Sequence, residues 1–228
     1  MIQINLLFTI SKSKINYLEN DYLSSNFKKS LEELLAYGLS AGADFVEIFL
    51  ENIDSTSLLA EQDIITSINP GFGKGVGIRV FYNEKDGFVS TNDLSEMGLK
   101  YSLEQALAML GLERNTLNHS QFNGLKQIKD YGENKTNLSE QRPSLNDSIN
   151  KVLEATSLLN QNGQKIEVRR GSYSSTLQEV IVASTDGTFS RDLRLYQSIG
   201  LNALALDKEY RSSTGRRYGS TSNPKQIY

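Results

Sequence analysis

The chain has no cysteine, no tryptophan, one histidine and three prolines in 228 residues. Without cysteine there are no disulfides, thiolate metal sites, iron–sulfur clusters or cysteine nucleophiles. Small secreted domains usually depend on disulfide staples, so a chain without them reads as cytoplasmic. One imidazole cannot supply the several His or Cys ligands of a structural zinc site. No apolar run reaches the roughly 18–20 residues that a membrane span needs, so no membrane partner is expected. The opening ten residues hold a short apolar patch, Leu6, Leu7 and Phe8. No basic stretch precedes it and no small-residue cleavage site follows, so residues 1–26 read as a polar tail, not a signal peptide. The formal net charge is −3, which gives nucleic acid no general attraction. Residues 163–228 do carry ten Lys/Arg against six Asp/Glu. No aromatics are interleaved with those arginines as stacking platforms require, so nucleic acid is not an expected partner.

What is present is patterned. Phe27, Leu31, Leu34, Leu35 and Leu39 fall on one helical face, predicting a helix over 27–39 with Ser25 or Asn26 as its cap. Short strands are predicted over 44–51, 56–62 and 64–68. Val76, Ile78, Val80 and Tyr82 then alternate with other residues at period two. A turn over 83–87, ending in Asp86-Gly87, would return the chain as a strand over 88–91. A second helix is predicted over 94–110. Asp93 and Glu96 have capping-box spacing, Leu99, Leu103, Ala106, Leu107 and Leu110 form a stripe, and Gly111 ends it. Residues 112–143 are polar and aperiodic and read as a linker or long loop. A third helix follows Pro143. Ser144 and Asp147 are spaced as a capping box, and Leu145, Ile149, Val152, Leu153 and Leu159 line one side. The last block reads as strands over 166–173, 177–184 and 196–206, with a turn at Asp186-Gly187; after Tyr210 no core pattern remains.

The order helix, strands, helix, loop, helix, strands predicts an α+β fold: an antiparallel strand meander with flanking helices, then a helix and a second β block. The predicted units are a tail (1–26), an α+β N-terminal domain (27–111), a linker (112–143) and a helix plus β block (144–228). The first unit has two amphipathic helices and a meander, enough to close a core by itself. The last looks incomplete, with a strand edge unpaired and Leu177, Val180, Val182, Leu201 and Leu204 poorly covered.

Four groups of residues invite chemistry. The glycines of 71–77 lack phosphate-loop context, because a strand follows where a helix is needed, Val76 breaks dinucleotide spacing, and no Ser or Thr follows Lys74; they read as a flexible turn. His119, in the polar loop, reads as an exposed, idle side chain. Glu47, Glu51, Asp54, Glu61 and Asp63 crowd one region, but no spacing marks an acid–base pair, so they read as the solvated face of a half-buried sheet. Arg169, Arg170, Arg191, Arg194, Arg211, Arg216 and Arg217 suit either an anion or peptide-carboxylate groove or an ordinary interface, with interface favoured.

Several stretches resemble one known family. Ala41-Gly42-Ala43-Asp44-Phe45-Val46-Glu47-Ile48 is similar to the opening strand of the TldD/PmbA family, as are Gly75-Val76-Gly77-Ile78-Arg79-Val80 and Asp86-Gly87-Phe88-Val89-Ser90-Thr91. Ala183-Ser184-Thr185-Asp186-Gly187-Thr188, with Asp192 and Arg194 behind it, resembles the family's second strand block. Gly215-Arg216-Arg217-Tyr218-Gly219 resembles a later Gly/Arg stretch. The likeness spans residues 27–219 and is closer to TldD-type than to PmbA-type members. It implies relation to zinc metallopeptidases, historically named modulators of DNA gyrase, that act on peptides and unfolded proteins and pair as TldD-type and PmbA-type subunits. The TldD-type zinc motif, a His-Glu-x-x-x-His helix and a later Cys, has no counterpart here, so no catalytic, cofactor-binding or metal residue carries over to any position. The resemblance therefore implies a non-catalytic N-terminal portion of such an enzyme, cut short or split, with zinc belonging to the complete member. A stand-alone interaction module or PmbA-type partner subunit is the alternative.

Overall fold

The structure, a computed structural model, describes residues 25–113, 122–131, 142–160 and 166–221. His119, the first 24 residues and Gly163 lie outside them. The elements are α1 (Ser25–Ser40), β1 (Phe45–Glu61), β2 (Ile64–Tyr82), β3 (Lys85–Thr91), α2 (Glu96–Ala108), β4 (Lys129–Asp130), α3 (Leu145–Leu158), β5 (Ile166–Ser184), β6 (Phe189–Asp207) and β7 (Tyr210–Ser220). The fold is α+β. One sheet runs β3-β2-β1-β5-β6, and the outer edge of β6 is shared by β4, parallel to it, and β7, antiparallel.

Four strands of 17–19 residues span roughly 55–60 Å at about 3.3 Å per residue. Alternation assigns their faces. On β1, Val46, Ile48 and Leu50 are buried, as are Leu58 and Ala60 further along the same face. The first three join Leu31, Leu34 and Leu35 of α1, Leu99, Leu103 and Leu107 of α2, and Ile181, Ala183 and Phe189 of β5 and β6 in the main core. The second pair packs with Tyr173 and with Val152 of α3. One face is thus covered at both ends, by α1 and α2 at one and α3 at the other.

A band of polar pairs, with a small apolar cluster of Leu177, Leu193 and Leu195 beside them, separates the two cores on that face. Arg142 reaches Asp54 Oδ1 at 2.9 Å and donates to Thr56 Oγ1 at 3.0 Å and Ser175 Oγ at 3.2 Å, tying β1 to β5. Glu179, 7% exposed, takes Arg191 Nε at 2.6 Å. These pairs make a long sheet tolerable where no helix covers it, because each half-buried charge meets a partner.

Several expectations change. The three short segments of the first meander are two long strands, paired from Phe45 opposite Phe81 to Glu61 opposite Ile64. The hairpin turn is Asn83-Glu84, both at positive φ, and Asp86-Gly87 lies inside β3. Gly87 is there for space, since a Cβ would meet Ala106 O of α2 at 2.4 Å. The cap of α2 is Ser95, accepting from Gly98 N at 3.1 Å, while Asp93 accepts from Ser95 N one step outside. On α3 Val152 is buried with Ile149 and Leu153 packed beside it, as the stripe predicts, but Ser148 and Thr156 share the docking side and Leu145 stays 41% exposed. The chain after Tyr210 is a strand, pairing with β6 from Asp207 opposite Tyr210 to Gln197 opposite Ser220. Of the five side chains expected to be poorly covered, Val180 is buried and Leu177 packs on Leu193 and Leu195, while Val182, Leu201 and Leu204 are only partly buried. The core of the first block also takes in Ile181, Ala183 and Phe189 of β5 and β6.

Candidate functional site: the open face of the sheet

The face opposite the helices carries the odd-numbered residues of β1 and β2 and the even-numbered residues of β5 and β6. Gly71, Gly73, Gly75 and Gly77 all belong to it. The glycine cluster is therefore not a flexible turn. It is the interior of β2, paired opposite Ser55, Ile53, Glu51 and Phe49 of β1, with one face stripped of side chains. Filling that stripe is penalised at its ends: a Cβ at Gly71 would come 2.5 Å from Ser55 Oγ, and at Gly77 2.9 Å from the Phe88 ring, while Gly73 has nothing within 4 Å. Beside the stripe, Arg79 lies over Phe88 at 5.6 Å and faces Asp86 at 3.7 Å.

The carboxylates do not converge. Glu47, Glu51 and Glu61 share the open face with Gln178 and Arg170 between strands, and Gln178 Nε2 donates to Glu51 Oε1. Asp54 points to the helix face against Arg142. Asp63, in the β1–β2 turn, holds Arg169 at 2.8 Å. No acid–base couple forms. Among the described residues no group of three or more His, Cys, Asp or Glu is placed to hold a metal ion.

The arginines divide into two sets. Arg169, Arg170, Arg191 and Arg194 pair with Asp63, Glu61, Glu179 and Asp192 at 2.6–2.8 Å. The Asp192 hydrogen bond raises the Arg194 pKa above its ordinary value. Arg211, Arg216 and Arg217, all on β7, are exposed, and no carboxylate pairs with them among the described residues. Arg216 and Arg217 border an open groove of about 510 Å³ with Leu59, Arg170, Ser172 and Asn202, floored by Gly200 and Gly215. Sequence reasoning named the arginines but missed the floor, Ser172 and Asn202. The signal was the glycines at 200 and 215, which the register sets in neighbouring rows, two residues apart along the strands.

The Thr185-Asp186-Gly187-Thr188 turn has a structural task. Asp186 Oδ1 accepts from Ser184 Oγ at 2.7 Å and from Thr188 N at 2.8 Å, and these bonds hold its carboxyl below the usual range. Thr185 exchanges two bonds with Val46 at 3.0 Å, closing the end of the sheet. Gly187 takes φ +86° in this turn, as its dipeptide predicts.

With this geometry in view, two family domains match the chain. PmbA/TldA metallopeptidase domain 1 matches residues 46–110 and the PmbA/TldA metallopeptidase central domain matches residues 139–227. The chain belongs to the PmbA/TldA metallopeptidase family. A metalloprotease TldD homolog of Haemophilus influenzae is 24% identical over 185 residues, covering 77% of this chain and 37% of that protein. A metalloprotease of Synechocystis sp. is 26% identical over 215 residues, covering 89% of this chain and 44% of that protein. The chain thus spans less than half the length of these relatives. A solved protein of Bacteroides thetaiotaomicron, named as a modulator of DNA gyrase, shares the fold at TM-score 0.66 with 14% identity, over 90% of this chain and 47% of that one. TldE from Thermococcus kodakarensis does so at 0.60 with 16% identity, over 83% and 42%. The metal that the family name implies finds no fitting donor set among the described residues.

Proposed function

We propose that this chain is a non-catalytic part of a PmbA/TldA metallopeptidase. In the complete assembly its open sheet face shapes the access of peptides or unfolded proteins to a zinc centre carried by other polypeptide. The observation that carries this reading is the open face itself: a long sheet with helices on one side and, among the described residues, none on the other, with a glycine stripe open at Gly73, where another backbone can approach closely. Contact with a TldD- or PmbA-type subunit is the second part of the proposal. It is supported by strand edges without a neighbouring strand among the described residues, among them the outer side of β7 and residues 64–75 of β2. The latter carries Ile64, Ile68 and Phe72, 67%, 43% and 73% exposed, and exposed apolar rows beside a free edge mark association surfaces.

The test is a fluorescently labelled, permanently unfolded casein offered to the full chain with and without added zinc. The expected result is a rise in anisotropy and no cleavage. Chelator-sensitive hydrolysis by the chain alone would overturn the non-catalytic assignment, and absence of any binding would overturn the access role. The alternative, a free-standing interaction module, predicts that adding a TldD-type subunit leaves that subunit's hydrolysis of the same casein unchanged.

A further inference from the structure

We propose that the groove between β5, β6 and β7 binds the C-terminal carboxylate of an extended peptide whose last side chain is apolar. This rests on the polypeptide-handling role above and gives it a specific contact. Two rows of residues cross the open face here. Leu59, Ser172, Gly200 and Arg217 face one another strand by strand, and Glu61, Arg170, Asn202 and Gly215 form the next row. Each row contains one glycine, at Gly200 and Gly215, where a side chain would otherwise rise from the floor.

What surrounds those two gaps is rich in hydrogen-bond donors. A Cβ on Gly200 would lie 2.8 Å from Ser172 Oγ and 3.8 Å from Arg217 Nε, and one on Gly215 would lie 2.9 Å from Asn202 Nδ2. A hydroxyl, a carboxamide and a guanidinium therefore border adjacent vacancies on one surface. Their present commitments are light. Ser172 Oγ donates to Gly200 O at 3.5 Å, a long bond that an incoming anion readily replaces. Arg170 is held by Glu61 at 2.8 Å, so its charge is already met. Arg217 and Arg216 meet no carboxylate among the described residues, and no acidic side chain borders the groove except through Arg170. A guanidinium fork with neutral donors beside it suits the planar two-oxygen geometry of a carboxylate.

Leu59 decides which carboxylate. It stands at the end of the first row, 39% exposed, one strand from Ser172 and two from Gly200, so it offers apolar contact about 10 Å from the position over Gly200, toward which a long apolar side chain can extend. A chain terminus with an apolar final residue satisfies both ends of the row at once, while an internal Asp or Glu leaves Leu59 uncovered. The glycine floor allows the terminal peptide backbone to lie close to the sheet.

The test compares two labelled nonapeptides, identical and ending in leucine, one with a free C-terminus and one amidated, by anisotropy with the full chain. The free acid binds, and amidation weakens it by about tenfold or more, as loss of a charge-assisted contact requires. Arg217→Ala reduces binding of the acid to the level of the amide and leaves the amide unchanged. Arg211→Ala, on the same strand but outside the groove, changes neither, and circular dichroism shows that both variants keep the fold. Equal binding of acid and amide, or full binding of the acid by Arg217→Ala, overturns the proposal. Binding of a single-stranded oligonucleotide that depends on Arg217, with no binding of the free-acid peptide, overturns it in favour of a phosphate ligand. Unfolded casein bound with no effect of Arg217→Ala or of amidation sinks this groove and leaves the broader function standing.

Discussion

Gly171 offers the sharpest test of how α3 sits on the sheet. It is buried on β5 beneath the helix, and a Cβ there would lie 2.1 Å from Thr156 Oγ1, 3.0 Å from Val152 Cγ2 and 3.2 Å from Val152 O. Thr156 cannot simply turn away, being fully buried with its hydroxyl bonded to Val152 O at 2.6 Å. Gly171→Ala therefore overpacks the interface, at a cost of about 1–3 kcal/mol. The reduced freedom of the unfolded chain returns ~0.4–1 kcal/mol, so the expected net loss is about 1–2 kcal/mol. Thr156→Ala removes the nearest atom and alone costs about 1 kcal/mol in lost burial. The two changes are not additive. In the double variant the alanine at 171 has its tightest neighbour removed and meets only Val152, so the pair should be more stable than the sum of the singles by about 1 kcal/mol. Thr156→Ser keeps the oxygen and gives no such recovery. Urea unfolding of the four proteins, with midpoints and slopes compared, measures the coupling. Additive losses, or a Gly171→Ala variant as stable as the parent, would show that α3 does not rest on β5 as described.

Arg142→Ala removes the clamp between Asp54, Thr56 and Ser175 and should cost about 2 kcal/mol in urea unfolding, because a partly buried carboxylate loses its charged partner. Asp186 has a depressed pKa when folded, so it adds stability above the unfolded carboxylate value near 4 and loses it as pH falls through the folded value. The urea midpoint of Asp186→Asn should accordingly fall less than the parent's between pH 5 and pH 3. Gly87→Ala forces α2 away from β3, since the new Cβ meets Ala106 O at 2.4 Å, and should speed hydrogen exchange of the α2 amides relative to those of α3. Limited proteolysis between residues 113 and 142 should leave two fragments that still co-elute on gel filtration, because β1 and β5 pair from Glu47 opposite Ser184 to Glu61 opposite Arg170. Fragments that separate, with residues 27–111 folded alone, would show that the first block closes its own core.

The helices were legible in the sequence because their buried positions repeat every three or four residues. Leu31, Leu34 and Leu35, then Leu99, Leu103 and Leu107, are all buried as their spacing predicts. Ser144 caps α3 through Asp147 N at 3.1 Å, and Gly111 takes φ +71° just beyond α2. The strands were legible only where one face is apolar. The middle of β1 carries Asn52, Asp54 and Thr56 on its covered face, so the alternation lapses although the strand continues. β7 is exposed on nearly all of its length, leaving no contrast between its faces to read. The glycine cluster misled because its composition suggests a turn. Its spacing was the better guide: glycine at 71, 73, 75 and 77 is a period-two pattern, which belongs to a strand with one bare face.

The bare face and the long strands depend on each other. The three helices lie on one side of these long strands among the described residues, with polar pairs in the gap between the helices. Everything on the other side must then tolerate water or a partner. Glycines at 71–77 and at 200 and 215 keep parts of it flat, cross-strand pairs such as Glu61 with Arg170 neutralise part of the rest, and Arg211 and Arg217 add positive charge that no carboxylate pairs with among the described residues, while Arg216 points to the other side of the outermost strand. Charge of one sign along an edge resists pairing with a second copy of itself. The same edge remains open to a chain that brings a carboxylate, so the arginines that guard the sheet against self-association also select what the face receives.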